Sequence, residues 1–167
     1  MQLNTETGIK SDLPFETRIY YSKRKLKKLI NILLGFMVVD GVLVFLVRSF
    51  FGGAYFLGSF MMIFLVIVYT DVKKKYKNDK PQIIINEDGI ESDKVSFWGW
   101  ENITNETVDF LYGRNASGEH LVYDYPAGQQ KLSLGYIETN RAELKNLLKI
   151  YRQRNEKKRA HTRKADV

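Results

Sequence analysis

The 167-residue chain has no cysteine, three prolines and two histidines. Without cysteine there is no disulfide framework, no cysteine-based zinc site and no thiol nucleophile. His120 and His161 are too few for a histidine-rich metal cluster, so no metal is expected. No glycine-rich phosphate loop, G-x-S-x-G elbow or H-E-x-x-H run occurs, because the glycines fall in turns or inside apolar runs. On this reading the protein is not an enzyme and carries no cofactor. Acidic residues are also in deficit. The 19 Asp and Glu against 26 Lys and Arg leave a net charge of +7, which calls for an anionic partner, nucleic acid or a phospholipid surface.

What is present is strongly segregated. Leu29–Val47 reads LINILLGFMVVDGVLVFLV, with Asn31 and Asp40 its only strongly polar members. At about 1.5 Å per residue it reaches roughly 28 Å, close to the hydrocarbon thickness of a bilayer. Ala54–Thr70 follows without a single charge. Two segments apolar all round are expected to form a transmembrane helical hairpin over residues 29–70. The first run is too long, starts too late and lacks the cleavage site of a signal peptide. Lys23, Arg24, Lys25, Lys27 and Lys28 precede the hairpin, and Lys73, Lys74, Lys75, Lys77 and Lys80 follow it, against Arg48 alone in the turn. This bias places both termini in the cytoplasm and the Arg48–Gly53 turn on the far side. Lys23, Arg24, Lys25, Lys73, Lys74 and Lys75 are the expected contacts to anionic headgroups. Asp40 is either a proton, ion or partner-helix contact, or a protonated group bonded inside the hairpin, for instance to Ser59. Gly35, Gly41 and Gly58 permit close packing within the hairpin or between copies, so a homo-oligomer is compatible.

Beyond Pro81 the period changes. QIIIN (82–86), the EDG turn and IES (90–92) spell a β-hairpin. Runs at Val95–Trp100, Thr104–Tyr112, Glu119–Tyr125 and Gln129–Leu134, separated by turn residues such as GRNASG (113–118) and PAG, complete about six strands. That rhythm predicts a small antiparallel sandwich or barrel. Asn140, with Glu143 three residues on, caps a helix running to about Asn155, whose Leu144, Leu147, Leu148 and Tyr151 form one apolar face. Phe15–Tyr21, in the cytoplasmic segment 1–28, is either one more strand or an interfacial stretch.

The run from Ile83 to Ile103, an apolar strand, an EDGI turn and FWGWENI, resembles the start of bacterial pleckstrin-homology-like (PH-like) domains. With the hairpin ahead of it, residues 15–152 resemble the small bacterial membrane proteins, YcxB-like among them, in which two transmembrane helices precede such a domain. The resemblance implies an α+β membrane protein in which the hairpin precedes a cytoplasmic PH-like barrel or sandwich over 81–155, capped by its C-terminal helix. It implies no activity and no ligand-binding residue.

Trp98, Trp100 and Phe110 are the candidate anchors for a protein partner, the alternative for both tryptophans being burial in the core or against the bilayer. His120 reads as an ordinary edge residue. Glu87 and Asp88 read as a turn, and Glu101 and Asp109 as solvated strand ends. The Asn102, Asn105 and Asn115 glycosylation triplets read as chance on a cytoplasmic face. The tail from Arg152 carries seven Lys and Arg against one Glu through Lys164. It lacks the aromatic interleaving of a nucleic-acid binder, so 156–167 is expected as a basic, disordered tail beside an anionic leaflet. The resulting expectation is a multi-pass protein of a bacterial-type inner membrane that binds a protein partner through its PH-like domain. The alternatives are an immunity protein that neutralises a toxin within the membrane, and a lipid- or proton-responsive transporter subunit.

Overall fold

The computed structural model describes residues 14–51, 55–93, 95–112 and 117–165. Strand β1 (Glu16–Ile19) opens the described chain and leads into two long helices, α1 (Lys23–Phe51) and α2 (Tyr55–Lys77). Six strands follow: β2 (Ile83–Asn86), β3 (Gly89–Ser92), β4 (Val95–Gly99), β5 (Thr104–Leu111), β6 (Gly118–Tyr125) and β7 (Gly128–Ser133). Helix α3 (Arg141–Ala165) ends it. The architecture is α+β, with two antiparallel sheets ordered β1-β2-β3-β4 and β5-β6-β7. Among the described residues these sheets do not close into a barrel.

Phe15–Tyr21 therefore supplies a strand. Ile19 stands opposite Ile83 and Glu16 opposite Asn86. The β-branched run Ile83–Ile85 alternates inward at Ile83 and Ile85, as one half-buried face of a sheet requires. Asn86 Oδ1 then accepts from the amides of Asp88 and Gly89, both at 2.9 Å, and reverses the chain. Gly89 has no alternative here, because a Cβ would collide with the Trp98 carbonyl on β4. Asn105 takes the left-handed φ of 53° where the β5–β6 register slips, a conformation asparagine tolerates better than most residues. Its amide and that of Gln129 hold the Asp124 carboxyl below its usual pKa.

The β-domain core joins both sheets to α3 through Ile85, Ile90, Val108, Leu121, Leu144 and Tyr151, all fully buried. Tyr123 lies among them, its hydroxyl facing Ser92 without completing a hydrogen bond. Burial pushes this phenol up, with the Ser92 hydroxyl opposing, and burial also raises Tyr21. A raised native value means the folded state holds the proton more tightly. Stability is thus complete below the unfolded tyrosine value of about 10 and is lost as pH rises through the native values. Tyr123→Phe removes an unpaired hydroxyl, so it should change stability by under about 1 kcal/mol at neutral pH. It should also move alkaline unfolding upward, as read by circular dichroism from about pH 8 to about pH 11. An unchanged alkaline limb would count against this assignment.

Three boundaries depart from expectation. Helix α1 runs through Arg48 to Phe51, so the turn starts later than Arg48; Gly52 and Gly53 lie outside the described residues. The helices also absorb the basic flanks except for Lys80, starting at Lys23 and ending at Lys77. Most clearly, α3 does not stop near Asn155, and residues 156–165 are helical rather than a disordered tail. The Arg, Lys, Glu and Ala of this stretch are good helix formers, and Arg163 and Lys164 suit the C-terminal dipole. The stretch is also latched to the β2–β3 turn. Buried Asn155 donates to the Glu87 carbonyl at 2.8 Å, and Lys158 pairs with Asp88 at 2.8 Å.

Candidate functional site

The two long helices and the sheet form one continuous antiparallel arm: β1 feeds α1, and α2 returns into β2. The joint between them is a tightly tied neck. The Ser22 amide donates to the Tyr136 carbonyl at 2.7 Å, Glu138 to Tyr20 at 3.0 Å, and Gln82 to Ile19 at 2.7 Å. Lys23 donates to the Tyr76 and Asn78 carbonyls, pairs with Asp79 at 2.7 Å and lies over the Tyr76 ring. Lys25 donates to the Ile137 carbonyl at 2.8 Å. Both lysines thus hold the neck as well as facing outward, whereas the side chains of Arg24, Lys73 and Lys74 are exposed.

Beside this joint lies a cavity of about 250 Å³. Tyr21, Lys75, Gln82, Asp93, Ser133 and Tyr136 supply its polar lining over apolar walls. Lys75 pairs with Asp71 at 2.7 Å and stands 5.8 Å from the Tyr136 ring centroid.

Along the arm, α1 and α2 pack through Leu26, Leu33, Leu65 and Val72. Gly58 marks the close approach, since a Cβ there would collide with Val44. Gly41 makes an ordinary contact with Met62, and Gly35 faces open space. Asp40 lies at this crossing, with its Oδ2 buried and lacking a hydrogen-bond partner. Asn31 is exposed on α1.

A second cleft, of about 490 Å³, runs between β5 and α3, with Val108 and Leu148 beneath charged rims. Strand β5 is an edge of its sheet. Arg141 donates to the Val108 carbonyl at 2.9 Å and to Asp109 at 2.5 Å, so the strand edge is partly capped. Arg152 pairs with Glu106, donates to the Ile103 carbonyl at 2.7 Å and stacks over Trp100. Phe110, next along β5, is 42% exposed and packs on Tyr112 with ring centroids 4.7 Å apart.

The three aromatic candidates therefore separate. Trp100 is not a surface anchor. The 3-10 turn Trp100–Asn102 ends the β4 alternation and turns its indole into the core, where Nε1 donates to the Asn86 carbonyl at 3.0 Å. Trp98 is half-buried against Tyr125, its Nε1 buried and unpaired. Phe110 alone of the three is exposed. Phe97, on β4, is exposed too and floors a cleft under the last turns of α3 beside Arg159 and Arg163. His120 is not at an edge: β6 is the central strand, and the ring is buried with Nδ1 2.8 Å from the Gly118 carbonyl. The local sequence does not mark Arg141 and Arg152, because their partners Asp109 and Glu106 lie more than thirty residues upstream. A guanidinium on the polar shoulder of an amphipathic helix was the only local signal.

The chain matches no protein-family model, no curated protein and no solved structure.

Proposed function

We propose that the protein is a non-enzymatic binding module held in a bacterial-type cytoplasmic membrane by the α1–α2 hairpin, with its β-domain engaging a protein partner on the cytoplasmic face. The observation that carries this reading is the exposed apolar belt. Among the described residues between Ile32 and Ile67, nine large apolar side chains of α1 and six of α2 are 43% exposed or more. A water-soluble fold does not leave such a belt bare. Helix α1 alone passes as a span among the described residues, and it is almost uncovered by the rest of the chain.

Pairing of β1 with β2 supports a second crossing by α2. Strands on either side of the hairpin share one sheet, so the chain that leaves through α1 has to return. The 4 + 3 strand order closed by a C-terminal helix supports the resemblance to PH-like domains, with the hairpin set between the first two strands. The charge bias of the flanks supports the cytoplasmic side.

The partner's seat is the β5–α3 cleft together with Phe110, which stands just outside its lining on β5 as the apolar anchor. The tagged full-length chain, extracted from native membranes in mild detergent, should retain a stoichiometric partner. Phe110→Ser with Lys149→Glu should lower that recovery at least about tenfold, the scale of an interface hot spot. Recovery unchanged in the double variant would move the partner elsewhere. Capture of lipid alone would replace the protein-binding reading with a lipid-organising one.

A further inference from the structure

The neck cavity is not used by partner binding, yet it is built as a ligand site, with a few convergent polar groups over apolar walls. Its depth is informative. Lys75 lies five residues beyond Thr70, the last residue of the uncharged run, or about 7.5 Å along a helix. The polar layer of a bilayer is roughly 5–8 Å thick on each side. The cavity thus opens at headgroup level once the hairpin is inserted, and the inference rests on that reading.

Its charges are of both signs. Lys75, already paired with Asp71 at 2.7 Å, brings one ammonium and Asp93 one carboxylate, with Tyr21 and Ser133 in the lining, so a phosphate would take the place of Asp71 on Lys75. A purely anionic headgroup would meet Asp93 unfavourably. A quaternary amine could not donate to it. A primary ammonium joined to a phosphate satisfies both ends, and the Tyr136 ring offers it a cation–π face. Lys75 itself stands between Asp71 and that ring, so the ligand ammonium takes the ring face as Lys75 turns to the phosphate. The Tyr21 phenol is protonated at neutral pH like any tyrosine, and so can donate to phosphate oxygen.

We infer that this cavity seats the phosphoethanolamine headgroup of one membrane phospholipid, with its phosphate on Lys75 and its ammonium between Asp93 and the Tyr136 ring. Native mass spectrometry of the full chain in mild detergent, equilibrated with equimolar phosphatidylethanolamine, phosphatidylglycerol and phosphatidylcholine, tests it. One phosphatidylethanolamine should be retained about tenfold over the others, the scale of one charge-assisted hydrogen bond. Asp93→Asn should abolish the preference, and Lys75→Gln should lower retention of all three lipids. Equal retention by the unaltered protein, or an undiminished preference in Asp93→Asn, would overturn the assignment. Occupancy by soluble phosphoethanolamine with no retained lipid would overturn the lipid source. Resistance to an alkaline carbonate wash reads insertion separately. A chain that washes off membranes overturns the anchor and the headgroup site together, whereas one that stays without a preferred lipid overturns the headgroup site alone.

Discussion

Arg152→Ala should destabilise the β-domain by about 3 kcal/mol, the scale of breaking a partly buried, hydrogen-bonded ion pair. For a domain near a hundred residues this is a fall in Tm of roughly 10–20 °C. The side chain binds α3 to the corner where β4 turns into β5: it meets Glu106, the Ile103 carbonyl and the Trp100 ring together. Truncation leaves Glu106, 16% exposed, without its cation. Arg152→Lys should recover only part of the loss, because a point ammonium cannot serve carboxylate, carbonyl and ring at once. Glu106→Gln in the Arg152→Ala background should cost little more, since the two changes remove one interaction. Thermal denaturation of five proteins, the unaltered chain, Arg152→Ala, Arg152→Lys, Glu106→Gln and the Arg152→Ala/Glu106→Gln double variant, measures this. Strict additivity would show that the contacts act separately.

This corner also explains how far the sequence could be read. The six strands from Ile83 to Ser133 were legible because each is bounded by its own turn chemistry, such as the Asn86-led reversal. The start of α3 was legible because Asn140 Oδ1 does accept from the Glu143 amide, at 2.9 Å. Glu143 itself turns instead to the Thr139 hydroxyl at 3.0 Å. Signals that depend on distant partners were hidden. Residues 156–165 are polar all round, and what fixes them sits at Glu87 and Asp88, nearly seventy residues back. Trp100 followed an alternating aromatic run, but alternation stops at Gly99 and the following 3-10 turn decides which way the indole faces. Strand β1 was ambiguous for the same reason, because its partner lies beyond both long helices.

The same long-range pairing makes the hairpin separable. On the proposed membrane reading, replacing residues 24–78 with a four-residue Gly-Ser turn should convert a detergent-dependent protein into a water-soluble, monomeric β-domain. Lys23 and Asp79, which would flank the new turn, are already joined by an ion pair of 2.7 Å, and Ile19 stands opposite Ile83. The excision removes every large apolar side chain of the exposed belt and leaves the Ile85, Leu121 and Tyr151 core intact. Deleting α2 alone (residues 55–77) should behave oppositely. If both helices cross the bilayer as proposed, one span left would put β1 and β2 on opposite sides of it, and the four-stranded sheet could not form. Detergent-free gel filtration and circular dichroism of the first variant, and protease resistance of the second in membranes, separate the outcomes. An excised domain that aggregates would show that the neck needs its helices to fold. A protected, folded domain after loss of α2 would show that α1 does not cross the membrane at all.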